Sequence, residues 1–191
     1  MKKILLTILI IITIFSINIL AVVDIDVGCE AIDRGSQRDT GTHINKTNPA
    51  NETGTITSVE IFARAAMTDV KVAIFFVVSG DNLSTRDYVY IGDMSIGYHQ
   101  FDVNLDVEAG DYIGIYHSGY IESGTSGGDG IWYYSDNDMI PCTNQAFSYY
   151  PSYLISLYGT GTTAVGWDHK WNTQTISKWN TKEFTKWNGL E

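Results

Sequence analysis

GDYIGIYHSGYIESGTSGGDGIWYY, residues 110 to 134, is the stretch whose reading decides the fold class. In residues 111–117 the side chains alternate: Tyr112, Gly114 and Tyr116 share one face, Ile113 and Ile115 the other. Period-two alternation marks a strand with one buried face. Residues 131–134 form a second short strand, on which Ile131 and Tyr133 share one face and Trp132 and Tyr134 the other. With Ile131 inward, Trp132 and Tyr134 point outward. The connecting residues 119–130 hold Gly119, Gly124, Gly127, Gly128 and Gly130, so this backbone turns sharply or approaches a ligand closely. The stretch reads as a hairpin of two aromatic strands around a glycine loop.

The same period extends outward. Residues 22–27 (VVDIDV) read as a first strand with Asp24 and Asp26 on one face. Residues 29–47 are irregular, apart from a short strand at 42–45. In residues 55–65, Ile56, Val59, Ile61 and Ala63 face inward with one break near Ser58. Residues 70–79 (VKVAIFFVVS) are hydrophobic throughout and read as a central strand buried on both faces. A turn at Gly80-Asp81-Asn82 leads to strands at 86–91 and 98–108. Residues 145–150 and 153–158 close the domain at 159–161. Eight or nine short strands with a turn every 8 to 12 residues, and no amphipathic helix after residue 21, predict an all-β chain. The expected architecture is an antiparallel β-sandwich, jelly-roll or Greek-key.

The ends differ from this middle. Residues 1–21 read as a secretory signal peptide: Lys2 and Lys3, an apolar run, then Ala21. A retained membrane anchor is the alternative, since the run of about 17 residues is near the lower limit for a span. No second run is long enough to span. The chain divides into the signal at 1–21, a β-sandwich domain at 22–161 and a tail at 162–191. Net charge is −10, and becomes two units more negative without Lys2 and Lys3. With no basic cluster, the chain is not a nucleic-acid binder. Cys29 and Cys142 are the only cysteines, and in an exported chain they predict one disulfide. It would close a loop of about 114 residues, with an entropic contribution of about 4 to 5 kcal/mol.

Catalytic patterns are sparse. Residues 124–128 match G-x-S-x-G, but a strand rather than a helix follows. Asp102, Asn104, Asp106 and Glu108 start like a calcium loop, yet Val107 stands where that loop needs Gly. They fit better as the wet face of a strand whose Val103, Leu105 and Val107 point inward. Asp129, Asp136 and Asp138 flank the aromatic strand and are the candidate Ca²⁺ ligands; as turn acids they need no metal. No other cofactor is indicated. Glu60, Glu108, Glu122 and Asp129 are available to a glycosidase, but no spacing selects a pair. His43, His99, His117 and His169 have no marked nucleophile beside them. The chain reads as a non-enzyme. Its better candidate site is a platform of rings, Tyr116, Tyr120, Trp132 and Tyr134 first, with Tyr112, Tyr149 and Tyr150 beside them; sugar rings stack on such faces.

The tail carries Lys170-Trp171-Asn172-Thr173, Lys178-Trp179-Asn180-Thr181 and Lys186-Trp187-Asn188-Gly189, an eight-residue period. Trp171, Trp179 and Trp187 need a surface to pack on, either this domain or a neighbour reached by strand addition.

Residues 56–61 (ITSVEI), 70–78 and 107–112 (VEAGDY) resemble β-sandwich modules of secreted and surface proteins of environmental bacteria and their phages. The resemblance covers about a third of the chain. In outline the domain also resembles jelly-roll carbohydrate-binding domains, and the tail is similar to K-x-N-G repeats that end large phage and bacterial surface proteins. None of these implies a catalytic residue. The expectation is a secreted or cell-surface, non-catalytic module that binds a surface glycan or surface protein. The alternatives are a self-assembling structural subunit (filament, surface layer or virion component) that oligomerises through the tail, and a polysaccharide-acting glycoside hydrolase.

Overall fold

A computed structural model describes residues 24–163. The signal segment and the three tail tryptophans therefore lie outside the described residues. Within them the chain is all-β, with no helix.

Fourteen strands follow in order among the described residues. They are β1 (Asp24–Gly28), β2 (Ser36–Arg38), β3 (Gly41–Asn45), β4 (Gly54–Ala63), β5 (Met67–Ser79), β6 (Asn82–Met94) and β7 (Gly97–Val107). Then come β8 (Tyr112–Ser118), β9 (Ile121–Gly124), β10 (Ile131–Ser135), β11 (Gln145–Ala146), β12 (Ser148–Tyr150), β13 (Leu154–Ile155) and β14 (Leu157–Thr163). One antiparallel sheet runs β1-β14-β4-β9-β13, with β7 on β4 and β2 on β9. The other runs β11-β6-β5-β8-β3-β10-β12. Strand β6 of the second sheet lies beside β7 of the first, where the Asp106 amide donates to Asp87 at 2.9 Å. The sheets thus come close to closing as a barrel.

The main core lies between them. Ile25, Val27, Ile56, Val59 and Ile61 of the first sheet meet Val70, Val72, Ile74, Ile113 and Ile115 of the second. Strand β4 follows its alternation, and its pairing with β7 shifts between Ile56 and Ser58, where the pattern breaks. In β7 the acids Asp102 and Asp106 are exposed while Leu105 and Val107 are buried.

The second sheet is covered on its far face too. Residues 136–147 cross it as a strap. Thr42 donates to the Asn137 carbonyl, Lys71 pairs with Asp138 and donates to the Ile140 carbonyl, and Thr85 exchanges bonds with Cys142. Beneath the strap Ile44, Ala73, Phe75, Leu83, Trp132, Ile140 and Phe147 make a second core. Strand β5 therefore buries both faces, as its composition predicts, but only through Phe75; Val77 and Val78 are exposed.

Three expectations are corrected. Strands β8 and β10 are not a hairpin, because β3 sits between them and pairs with both. Of the glycine loop, residues 121–124 form β9 and join the first sheet. The cysteines are free thiols. Cys29 is bonded through its amide to Leu157 of the first sheet, whereas Cys142 rides the strap on the far face of the second. The predicted disulfide lacks proximity, which sequence separation does not encode.

Candidate functional site

The chain changes sheets between β2 and β3. Arg38 pairs with Ile121 in the first sheet; Gly41, three residues on, pairs with His117 and Ser135 in the second. Gly41 is required here. Its φ is +145°, and a side chain would meet the Tyr134 carbonyl oxygen at 2.5 Å.

This crossing opens a polar cavity of about 300 Å³. Gln37, Arg38, Asp39, Thr40, His43, Tyr133, Ser135, Asp136 and Tyr150 line it. Alternation places the walls. His43 and Tyr133 are partners across β3 and β10, and Ser135 follows two residues on. Strand β12 brings Tyr150 against Tyr133 with ring centres 4.7 Å apart. Tyr153 tilts against Tyr150 at 5.4 Å. The Arg38 guanidinium lies 3.9 Å from the Tyr153 ring centre and 4.9 Å from that of Tyr150. Such cation–ring contacts hold a planar guanidinium in place without a carboxylate.

His43 lies at the buried end of the cavity, 4% exposed, and stacks on His117 at 5.4 Å. Burial drives the His43 pKa well below the usual range, and the neighbouring charges of His117 and Arg38 push the same way. Burial lowers His117 to about 4. Both rings are thus neutral at physiological pH. The Nε of Arg38 is buried without a hydrogen-bond partner, whereas the Gly41 backbone approaches the His43 ring and the Gly119 backbone that of His117.

No protein-family model, curated protein or solved structure matches the chain. The resemblance drawn over residues 56–116 is carried by its own residues alone.

The sequence-chosen platform sits elsewhere. The alternation of β10 is as read, but its Trp132 face is not open. Trp132 is 2% exposed, edge-on to Tyr112 at 5.0 Å, with its indole N–H donating to Asp81 at 2.7 Å. Tyr134 and Tyr116 pack on the same second core, Tyr134 edge-on to Phe147. The strap covers these rings, so the outward reading of Trp132 and Tyr134 is corrected. Tyr120 is 40% exposed between β8 and β9. Asp129, Asp136 and Asp138 do not converge: Asp138 pairs with Lys71, Asp136 lines the cavity, and the Asp129 carbonyl accepts from Tyr149. Among the described residues no three acids, histidines or cysteines gather in a metal-holding group.

The glycosidase candidates are scattered as well. Glu122 is fully buried, accepting two bonds from Arg64 at 3.0 and 3.1 Å and one from the Arg34 amide. Glu108 pairs with Arg86, which also holds Asp111. Of the cavity residues, sequence had named Tyr150 as a ring, Asp136 as a metal ligand and His43 as a histidine without a nucleophile, none of them as part of a cavity. Arg38 falls in the irregular part of residues 29–47, whose lack of pattern hides it.

Proposed function

We propose that the chain is a non-catalytic, exported β-sandwich module that binds a surface glycan at the β2–β3 crossing. The cavity is the observation that carries the reading. Its volume is at the lower end for small-molecule sites, and its lining alternates hydroxyl, amide and carboxylate groups with tyrosine rings. A ligand dense in hydroxyls with an apolar ring face answers that lining. The export signal and the resemblance to jelly-roll carbohydrate-binding domains support the same compartment and ligand class.

A glycan array with the full chain tests it, with Tyr150→Ala as the control. The expected result is a restricted set of bound glycans, lost in the variant. Absence of any retained glycan, or binding unaffected by Tyr150→Ala, overturns it.

The second reading, a self-assembling subunit, is favoured by a separate observation. Tyr88 and Tyr90 on the outer face of β6, Ile96 in the next turn and Tyr98 on β7 are 45 to 68% exposed. Four large exposed apolar side chains within residues 88–98 suit contact with a second copy. Light scattering of the chain, of the chain without residues 162–191 and of a Tyr90→Ser/Tyr98→Ser variant tests it: an assembly subunit loses its oligomer in one of the altered forms, and a monomer throughout sinks that idea.

A further inference from the structure

The cavity holds a polar group that the protein itself leaves unused. Among the described residues the Arg38 guanidinium forms no ion pair, and its Nε is buried without an acceptor. His43 lines the same space at its buried end, 4% exposed. Arg38 thus lines the cavity with no carboxylate of the protein on its guanidinium, whose charge is open to an anion from outside. The remaining lining divides by depth. Asp39, Ser135 and Asp136 are exposed at the rim, while Arg38 is half-buried and His43 buried.

We propose that this cavity is a subsite for the carboxylate of a hexuronate sugar, anchored by Arg38 and resting on the glycan-binding reading above. The guanidinium presents its donors in a rigid plane that matches a carboxylate in a two-bond fork. Tyr150 and Tyr153 already hold it, so little side-chain freedom is lost on binding. The rim carboxylates select against heavily charged ligands: Asp39 and Asp136 repel a polysulfate or polyphosphate from the mouth. A single hexuronate brings one charge to the arginine and hydroxyls to the rim, where Asp39, Asp136, Ser135 and Gln37 accept or donate. The Thr40 hydroxyl is already engaged, accepting from the Gly119 amide.

The test is calorimetric titration of the full chain with the methyl glycosides of galacturonate and mannuronate, with the methyl ester of each, and with methyl glucoside. The ester keeps the ring and removes the charge. One of the acids should bind about tenfold or more tightly than its ester, and Arg38→Met should weaken that acid by a similar factor. Arg38→Lys, which keeps charge but not the fork, should restore only part of it. A readout on the unsubstituted chain guards against misfolding of the variants: the His43 ring signals should shift on adding the acid and not the ester. Equal binding of acid and ester, or an unaffected Arg38→Met, overturns the uronate subsite and leaves glycan binding standing. No binding of any of these sugars overturns the subsite, and an empty array then removes the parent reading with it.

Discussion

His43 and His117 are the residues where solution conditions should be felt first. The unfolded chain protonates its histidines near 6.5, whereas folded His117 does so only at about 4. Between those values the unfolded state binds the extra proton, so stability rises with pH across that window and is lost on acidification. The full effect of this one group is roughly 3 kcal/mol. His43 shifts in the same direction and adds to the slope. Urea midpoints measured from pH 7 to pH 4 should fall steeply below about 6.5, and His117→Phe should flatten that fall. A flat profile in the unsubstituted chain would show that the pair is hydrated. Glu122 is the other residue-scale commitment. Its buried carboxylate meets Arg64, which also pairs with Asp33 at 3.6 Å, and the Arg34 amide, so Glu122→Ala takes the acceptor from that amide and leaves Arg64 with Asp33 alone. Loss of about 1 to 3 kcal/mol in denaturant unfolding is expected. Turnover on a polysaccharide abolished by Glu122→Gln with stability intact would contradict the structural role given to it.

The sheet crossing and the strap are the elements on which the site depends. Gly41 lets β3 leave the β2 connection and run against β10 without a side chain striking the Tyr134 carbonyl. Gly41→Ala should therefore lower stability by about 1 to 3 kcal/mol and disturb the cavity together with it. A thermal melt reads the first, and ligand affinity the second. The strap does for the far face of the second sheet what the first sheet does for the near one. It explains why β5 is apolar on both faces through Phe75, and why β10 can bury Trp132 on one side and Ile131 on the other. Trp132→Ala should cost about 3 to 5 kcal/mol as a core truncation. A surface ring would lose far less, so the size of that change discriminates a covered Trp132 from a platform.

At the scale of the whole molecule the two thiols report on assembly of the sheets. Cys29 and Cys142 are unbonded and on different sides of the second sheet, and burial raises both thiol pKa values. The chain should melt at the same temperature with and without reductant. Both thiols should label completely once it is unfolded without reductant, and Cys142, the less buried, should label first in the folded state. A reductant-sensitive melting temperature would restore the disulfide expected from two cysteines in an exported chain.

Much of the architecture was legible in the sequence because strand alternation is local. The Cβ direction reverses at every residue, so the near faces of β1, β4, β7, β8 and β10 can be named from the residues alone. The break at Ser58 was visible for the same reason: a bulge interrupts the period where it occurs. What alternation cannot say is which chain lies over a face. Trp132 and Tyr134 share a face by sequence, but residues 136–147 cover it, and that placement rests on bonds to Thr42, Lys71 and Thr85 far away in the chain. The hairpin failed likewise, since β3 enters between β8 and β10 from some 70 residues upstream. The cavity belongs to this second category. Arg38, His43, Tyr133 and Tyr150 come from four strands and show no common spacing. Which residues form strands, and which side chains share a strand face, the amino-acid order determined by local stereochemistry. Which faces are covered, and where polar groups meet at a cavity, only the tertiary structure decided, because those contacts depend on loop closure between distant segments.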